Sequence, residues 1–291
     1  MATWTGRSRG NALGYQIVVY FLRVFGLSTT YFLLRIISGY YYWFAGEPRR
    51  VIVKFYQNHL AFPKRKAERL CKQNFFLLAQ SILDKIALTM GLGGKIHYTQ
   101  DGEDRLIEMA RSGRGGFLFS AHLGNWDIAG NLLQNLDVPL NVVMYVNEDQ
   151  QISSFLQKAG SKPKFNIIPI KDDMSHLVRI YEHYKKRELI CINADRFLPG
   201  AKTIPLPFLN GEAHFPEGPF AIVNSLKAEY AFVFAVKSSR FGYKFSSSVP
   251  RKAGQGARII AEDYVRQLGG MVRRYPEQWF NYYDFFSSPS H

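Results

Sequence analysis

The chain has 291 residues, 47% of them hydrophobic and 15% aromatic, with 37 basic against 23 acidic residues and a net charge of +14. That length and apolar content allow one large domain with an appendage, and the positive balance favours polyanionic partners. The spacing excludes the usual nucleic-acid modules, since no zinc-finger spacing, basic-zipper heptad or RNP-like aromatic motif is present; the two cysteines, Cys71 and Cys191, form no CxxC pair and no metal-ligand spacing.

In chain order, residues 13–45 come first. This stretch is almost wholly apolar and carries two charges, Arg23 and Arg35. No small-residue cleavage site follows it, as a signal peptide would require. A spanning helix needs about 20 apolar residues, and an arginine at its centre costs roughly 2.5–3.5 kcal/mol. Two shorter helices lying in the membrane interface fit better, with the arginines snorkelling and Tyr40, Tyr41, Tyr42 and Trp43 at headgroup level. Residues 1–47 therefore read as a membrane-associating helical segment and 48–291 as the main domain.

The spacing then predicts a helix over 63–90, begun by Pro63 and ended by Gly91. Beyond it, short apolar runs at 116–120, 141–146, 166–170, 189–193, 230–236 and 241–247 read as strands. Helical stretches fall near 104–111, 126–136, 152–159, 174–186, 219–226 and 257–274. Alternation of this kind predicts an α/β fold, a largely parallel central sheet flanked by helices, with the apolar helical anchor at its N-terminus. The glycine runs at 91–94 and 113–116 complete no phosphate-loop pattern and read as turns. His176 and His183 share a helix without metal-spaced partners and read as solvated surface side chains.

The stretch with chemistry is 119–131, FSAHLGNWDIAGN. A buried strand ends near Ser120, Gly124 breaks it, Asn125 can cap a helix, and Trp126 onward is helical. On one continuous helix, His122 and Asp127 would point about 140° apart. A turn between them removes that obstacle and can bring the carboxylate to the imidazole, beside the free backbone N–H groups of a helix start. Histidine with a carboxylate orienter is a general-base unit. No Gly-x-Ser-x-Gly elbow is present, so such a base would activate the substrate's own hydroxyl or amine.

The run Ser120-Ala-His-Leu-Gly-Asn-Trp-Asp127 resembles the HxxxxD/E signature of glycerolipid-type acyltransferases and, in its fuller form, the late acyltransferases of bacterial lipid A biosynthesis. Asn58-His-Leu-Ala-Phe-Pro63, Asp101-Gly102-Glu103, Asp195-Arg196, Pro205-Leu-Pro-Phe-Leu-Asn-Gly211 and Pro276-Glu-Gln-Trp279 resemble that family's flanking blocks over nearly the whole chain. The resemblance implies a membrane-associated enzyme at the cytoplasmic face of the bacterial inner membrane. It implies an acyl chain moved from the thioester of acyl carrier protein to a hydroxyl of a lipid A precursor or related glycolipid, with no cofactor, metal or nucleic acid. The basic charge would serve acyl carrier protein, a phosphorylated acceptor or an anionic membrane surface. His122 would be the base and Asp127 its orienter; Asn125, Trp126, Asp195, Arg196 and Gly218 would contact substrate.

A basic cluster usually follows Pro-Glu-Gln in lipid A enzymes, whereas here Trp279-Phe-Asn-Tyr-Tyr-Asp-Phe-Phe286 follows. That departure admits an amino-acid lipid or an aryl-polyene-type headgroup as acceptor. A catalytically silent, membrane-bound lipid-binding scaffold is the reading from a different class. Phe215-Pro-Glu-Gly218 also resembles the acceptor-binding FPEG block of glycerol-phosphate acyltransferases. Asp195 directly follows an apolar strand, however, and ligands of α/β sheets gather at strand carboxyl ends, so Asp195 rather than Glu217 is the expected acidic residue.

Overall fold

The alternating elements after residue 96 assemble a mostly parallel sheet in a computed structural model that describes residues 12–286 apart from 126–127, 129–137, 146–164, 172 and 198–199. Three helices precede the sheet: α1 (Ala12–Phe44), α2 (Gly46–Leu60) and α3 (Lys64–Thr89). The strands that follow are β1 (His97–Asp101), β2 (Gly116–Ser120), β3 (Leu140–Tyr145), β4 (Asn166–Ile170), β5 (Leu189–Asn193), β6 (Thr203–Phe208), β7 (Gly211–Pro216), β8 (Glu229–Lys237), β9 (Gly242–Ser247) and β10 (Arg251–Lys252). Among the described residues, the helices between and after them are α4 (Glu103–Arg111), α5 (Ser175–Lys185), α6 (Gly218–Ser225) and α7 (Ala257–Arg274), and a short 3₁₀ turn, Pro276–Gln278, is the last element described.

The main sheet runs β1-β9-β8-β2-β5-β3-β4, with β10 paired to β8. β8 is antiparallel to β9 and β10; the other neighbouring pairs are parallel. The centre reads as unbroken apolar sequence because it is covered on both faces: all five residues of β2 are buried. Phe117, Phe119, Ile190 and Ile192 face one layer with α6, α7 and the β6–β7 hairpin, where Phe215, Phe220, Tyr264 and Leu268 are fully buried. Leu118, Leu189 and Cys191 face the other, with α1, α3 and α4. Each large apolar side chain so buried contributes about 1.5–3 kcal/mol.

α1 is one helical run kinked at Gly26, whose φ of 73° and ψ of 175° are non-helical, so the apolar stretch forms two straight segments in tandem. Val19, Leu22, Leu27, Tyr31 and Leu34 are buried in the α1–α3 layer, while Tyr20, Val24, Phe25, Phe32, Ile36, Tyr40, Trp43 and Phe44 are exposed. An exposed apolar face of this size on a helix docked by its other face is the geometry of a surface that meets something apolar.

Some elements differ from the sequence reading. The proline-rich stretch around 205–211, for which the sequence reading gives no strand, is part of the two-stranded hairpin β6–β7. Pro205 and Pro207 fit because they occupy the exposed alternate positions while Ile204, Leu206 and Phe208 point inward. The helix expected over 63–90 is α3, but α2 and β1 were not anticipated: β1 is a mostly exposed, polar edge strand with no apolar run to betray it. The helices expected near 126–136 and 152–159 lie outside the described residues. Both cysteines are buried free thiols, and burial pushes each up to about 12, as core thiols should be. His183 is not simply solvated, since its Nδ1 lies 2.6 Å from Glu188 Oε2.

Candidate active site

β2 and β5 are parallel neighbours in a register that sets Ser120 opposite Asn193. Two residues further along each strand come His122 and Asp195, so the sheet itself brings together two side chains 73 positions apart, at the strands' carboxyl ends. His122 Nδ1 lies 2.7 Å from Asp195 Oδ1, and the His122 backbone N–H donates to Asp195 Oδ2 at 3.0 Å. Trp279 Nε1 donates to the same Oδ2 at 3.2 Å. The Asp195 side chain is 2% exposed and that of His122 15%.

The electrostatics follow from those contacts. Burial on its own would raise the Asp195 carboxyl, but the His122 charge, the hydrogen bonds from His122 and the nearby Arg196 outweigh it and hold the group at about 2. A carboxylate at Nδ1 fixes the tautomer that carries its proton on Nδ1 and leaves the lone pair on Nε2. An imidazole held in this way can serve as a base, with an ionised partner able to stabilise the imidazolium.

Three elements hold the turn that carries His122. Gly124 has φ of 71° and lies so near β8 that a Cβ there would sit 2.1 Å from the Ala235 carbonyl oxygen, which only glycine tolerates. The Asn125 N–H donates to that same Ala235 oxygen at 2.7 Å, and the Asn125 side chain donates to the Ser81 carbonyl of α3 at 2.9 Å. The Pro-Glu-Gln-Trp segment supplies the third support. Gly124 N–H donates to the Gln278 carbonyl at 2.8 Å, Phe280 N–H donates to the His122 carbonyl at 2.9 Å, and Leu123 forms a bridge with Trp279. Behind the strand, the Tyr264 hydroxyl donates to the Ser120 carbonyl at 2.9 Å.

The residues expected at the site separate by place. His122 and Asp195 meet. Asn125 is buried in the same turn with its side chain spent on α3, and Ile128 N–H donates to its carbonyl as at a helix start. Arg196 donates from Nη2 to the Phe280 carbonyl at 2.7 Å, beside the pair. Gly218 is the first residue of α6, a helix seated on β2 through Phe220, whose ring centroid lies 5.2 Å from that of Phe119. Glu217 caps that helix without a side-chain cap bond. Trp126 and Asp127 lie outside the described residues. Sequence reasoning assigned no role to Gln278 and Trp279, although it singled out their motif. A groove of about 200 Å³ between β9 and α7, lined by Phe234, Lys244, Ser246 and Arg274 among others, includes neither His122 nor Asp195 and is not this site.

Comparison with curated proteins finds no match. A strand-end histidine held by a buried carboxylate in this α/β frame is nonetheless accompanied by a family match over almost the whole chain: the family described as bacterial lipid A biosynthesis acyltransferase matches residues 12–284, and the chain belongs to that family of acyltransferases.

Proposed function

We propose that this acyltransferase moves a fatty acyl chain from the thioester of acyl carrier protein to a hydroxyl of a lipid A precursor or related glycolipid, with His122 as general base. The contact of 2.7 Å between His122 Nδ1 and Asp195 Oδ1 carries the reading. The acceptor hydroxyl gives its proton to Nε2 as its oxygen attacks the thioester carbonyl. The tetrahedral intermediate collapses with cleavage of the C–S bond, and the imidazolium returns the proton to the departing thiolate. Asp195 stabilises the imidazolium and shares the orienting role expected of Asp127. Asn125, Trp126, Arg196 and Gly218 remain the residues proposed to border the substrates.

The donor reading is supported by charge. Arg50, Lys54, Lys64, Arg65, Arg69 and Lys72 are exposed along α2 and the first turns of α3, a basic surface suited to an acidic carrier protein or an anionic membrane. It adjoins in sequence the exposed aromatic end of α1, Tyr40, Tyr41, Trp43 and Phe44. One buried and one exposed apolar face suit α1 to lying on the cytoplasmic face of the membrane rather than crossing it alone. The aromatic residues that replace the family's basic cluster are used for packing: the Phe286 ring stacks 3.4 Å from that of His59, and the Phe285 centroid lies 4.9 Å from that of Trp279.

The test is transfer by the full-length protein in mixed micelles, with acyl carrier protein thioester as donor and a lipid A precursor as acceptor, the product identified by mass spectrometry. An acylated lipid A precursor is expected. Turnover of the thioester with an amine lipid but not with the lipid A precursor would replace the acceptor, and no thioester turnover with any acceptor would remove the catalytic reading.

A further inference from the structure

A second buried constellation lies on the other side of the His122 turn and takes no part in the chemistry above. Asp84 of α3 is fully buried, and three groups converge on its carboxylate. Lys237 Nζ, at the end of β8, lies 2.6 Å from Oδ2; the Tyr31 hydroxyl of α1 donates to Oδ1 at 2.5 Å; and the Tyr243 hydroxyl of β9 donates to Oδ2. Lys237 Nζ also donates to the Tyr31 hydroxyl at 3.1 Å and to that of Tyr243 at 3.3 Å. The Lys237 side chain is 5% exposed. The charges are satisfied only while α1, α3, β8 and β9 are all in place. An apolar replacement could fill such a volume equally well, so the specific gain of an ionic cluster is the fixed geometry of the elements it joins.

Two of those elements, α3 and β8, are the ones from which the His122 turn hangs. The Gln278 side-chain amide clasps the Lys237 backbone, accepting from its N–H at 2.7 Å and donating to its carbonyl at 2.9 Å. The Gln278 carbonyl holds Gly124 N–H at 2.8 Å. Ala235, two residues before Lys237, holds Asn125 N–H at 2.7 Å, and Ser81, three residues before Asp84 on α3, holds the Asn125 side chain at 2.9 Å. Gly124 has no room to absorb movement of β8. A displacement of the β8 end or of α3 is therefore passed to the turn, and misplacement of a catalytic group by 1 Å can cost about a hundredfold in rate.

We infer that Asp84, Lys237, Tyr243 and, from the membrane-facing helix, Tyr31 act as positioning residues that tie the seating of α1 to the geometry of the His122 turn. α1 is then a structural part of the active site as well as an apolar surface, and Tyr31 is the residue by which it contributes. This inference rests on the reading of His122 as the base.

The test uses the full-length protein in detergent micelles, where membrane recruitment does not limit turnover of acyl carrier protein thioester. Tyr31→Phe keeps the ring and removes one hydroxyl. Asp84→Asn/Lys237→Met removes both charges together, so that a folded variant is available if single replacements unfold. Phe32→Ser alters only the exposed face of α1. Tyr31→Phe is expected to lower kcat roughly tenfold with little change in KM for the thioester or in flotation with vesicles of anionic phospholipid. The ¹⁵N shifts of the His122 ring should move in Tyr31→Phe and in the double variant. Phe32→Ser should weaken flotation and leave kcat in micelles unchanged. Unchanged kcat and His122 shifts in both folded cluster variants would overturn the inference, as would a loss in Tyr31→Phe that follows flotation alone. His122→Ala in the same assay separates the two claims: if it stays active, the base assignment falls first and the coupling with it.

Discussion

Among the described residues two aspartates are buried, each with a basic group within 2.7 Å, and their surroundings differ. Asp84 and Lys237 form a sealed pair whose remaining hydrogen-bonding capacity is met by tyrosine hydroxyls from other elements. Burial pulls the Lys237 ammonium below its usual range although Asp84 opposes that shift. Asp195 is also buried, but its partner is an imidazole 15% exposed, which meets the carboxylate through Nδ1. A buried carboxylate beside a cation is thus not by itself a sign of catalysis. The two pairs differ in the partner: a lysine ammonium sealed in the core at Asp84, and a partly exposed imidazole at a strand end at Asp195.

The largest effect that would break this comparison is on rate. His122→Ala should lower acyl transfer by roughly 10²–10⁴-fold, the usual share of a general base. Its thermal midpoint should fall by no more than about 4–8 °C, because Asp195 keeps the residue 122 backbone N–H and Trp279 Nε1 as donors. A fully active His122→Ala, or one inactive because it unfolds, would place His122 with the structural group.

The sealed pair should answer in the opposite currency, stability before rate. Lys237→Met leaves the Asp84 carboxylate buried without its ammonium and should destabilise the fold by about 3–5 kcal/mol, read as a shift in the urea midpoint. The double variant Asp84→Asn/Lys237→Met should recover most of that loss. Equal destabilisation in single and double variants would mean that charge compensation is not what holds the cluster.

A smaller effect sharpens the comparison through pH. The Asp195 pKa is depressed in the folded protein, so its contribution is fully present above the unfolded-state value near 3.8 and is lost as pH falls through about 2. The shift corresponds to something on the order of 2 kcal/mol at neutral pH. The part of the stability gap between the parent and Asp195→Asn that comes from the depressed Asp195 carboxyl should therefore close progressively below pH 4. A gap independent of pH down to 2 would show that the pair is not ionised as described.

Much of the frame was legible because the strands that build it are buried on both faces and read as continuous apolar runs, β2 and β5 above all. His122 stood out because a strand end, a glycine and a capping asparagine surround it. Asp195 could be preferred over Glu217 by its place after a strand, yet its contact with His122 depends on the β2–β5 register, which no local pattern encodes. Local reading paired His122 with Asp127, the nearest carboxylate in sequence, which lies outside the described residues. The hairpin at 203–216 was hidden by prolines that occupy its exposed positions. The Asp84–Lys237 pair was invisible for a similar reason, since its members are 153 positions apart and each reads as an ordinary surface charge.

The most direct test of the central claim, that Asp195 is the carboxylate partner of the catalytic base, is steady-state transfer from acyl carrier protein thioester by Asp195→Ala and Glu217→Ala, measured side by side on folded, full-length protein. Asp195→Ala should lose on the order of a hundredfold or more in kcat, since it removes the orienting charge from His122, while Glu217→Ala, a helix cap without a side-chain bond, should keep most of its activity. A larger loss in Glu217→Ala than in Asp195→Ala would contradict the account and move the acidic component of the site to the start of α6.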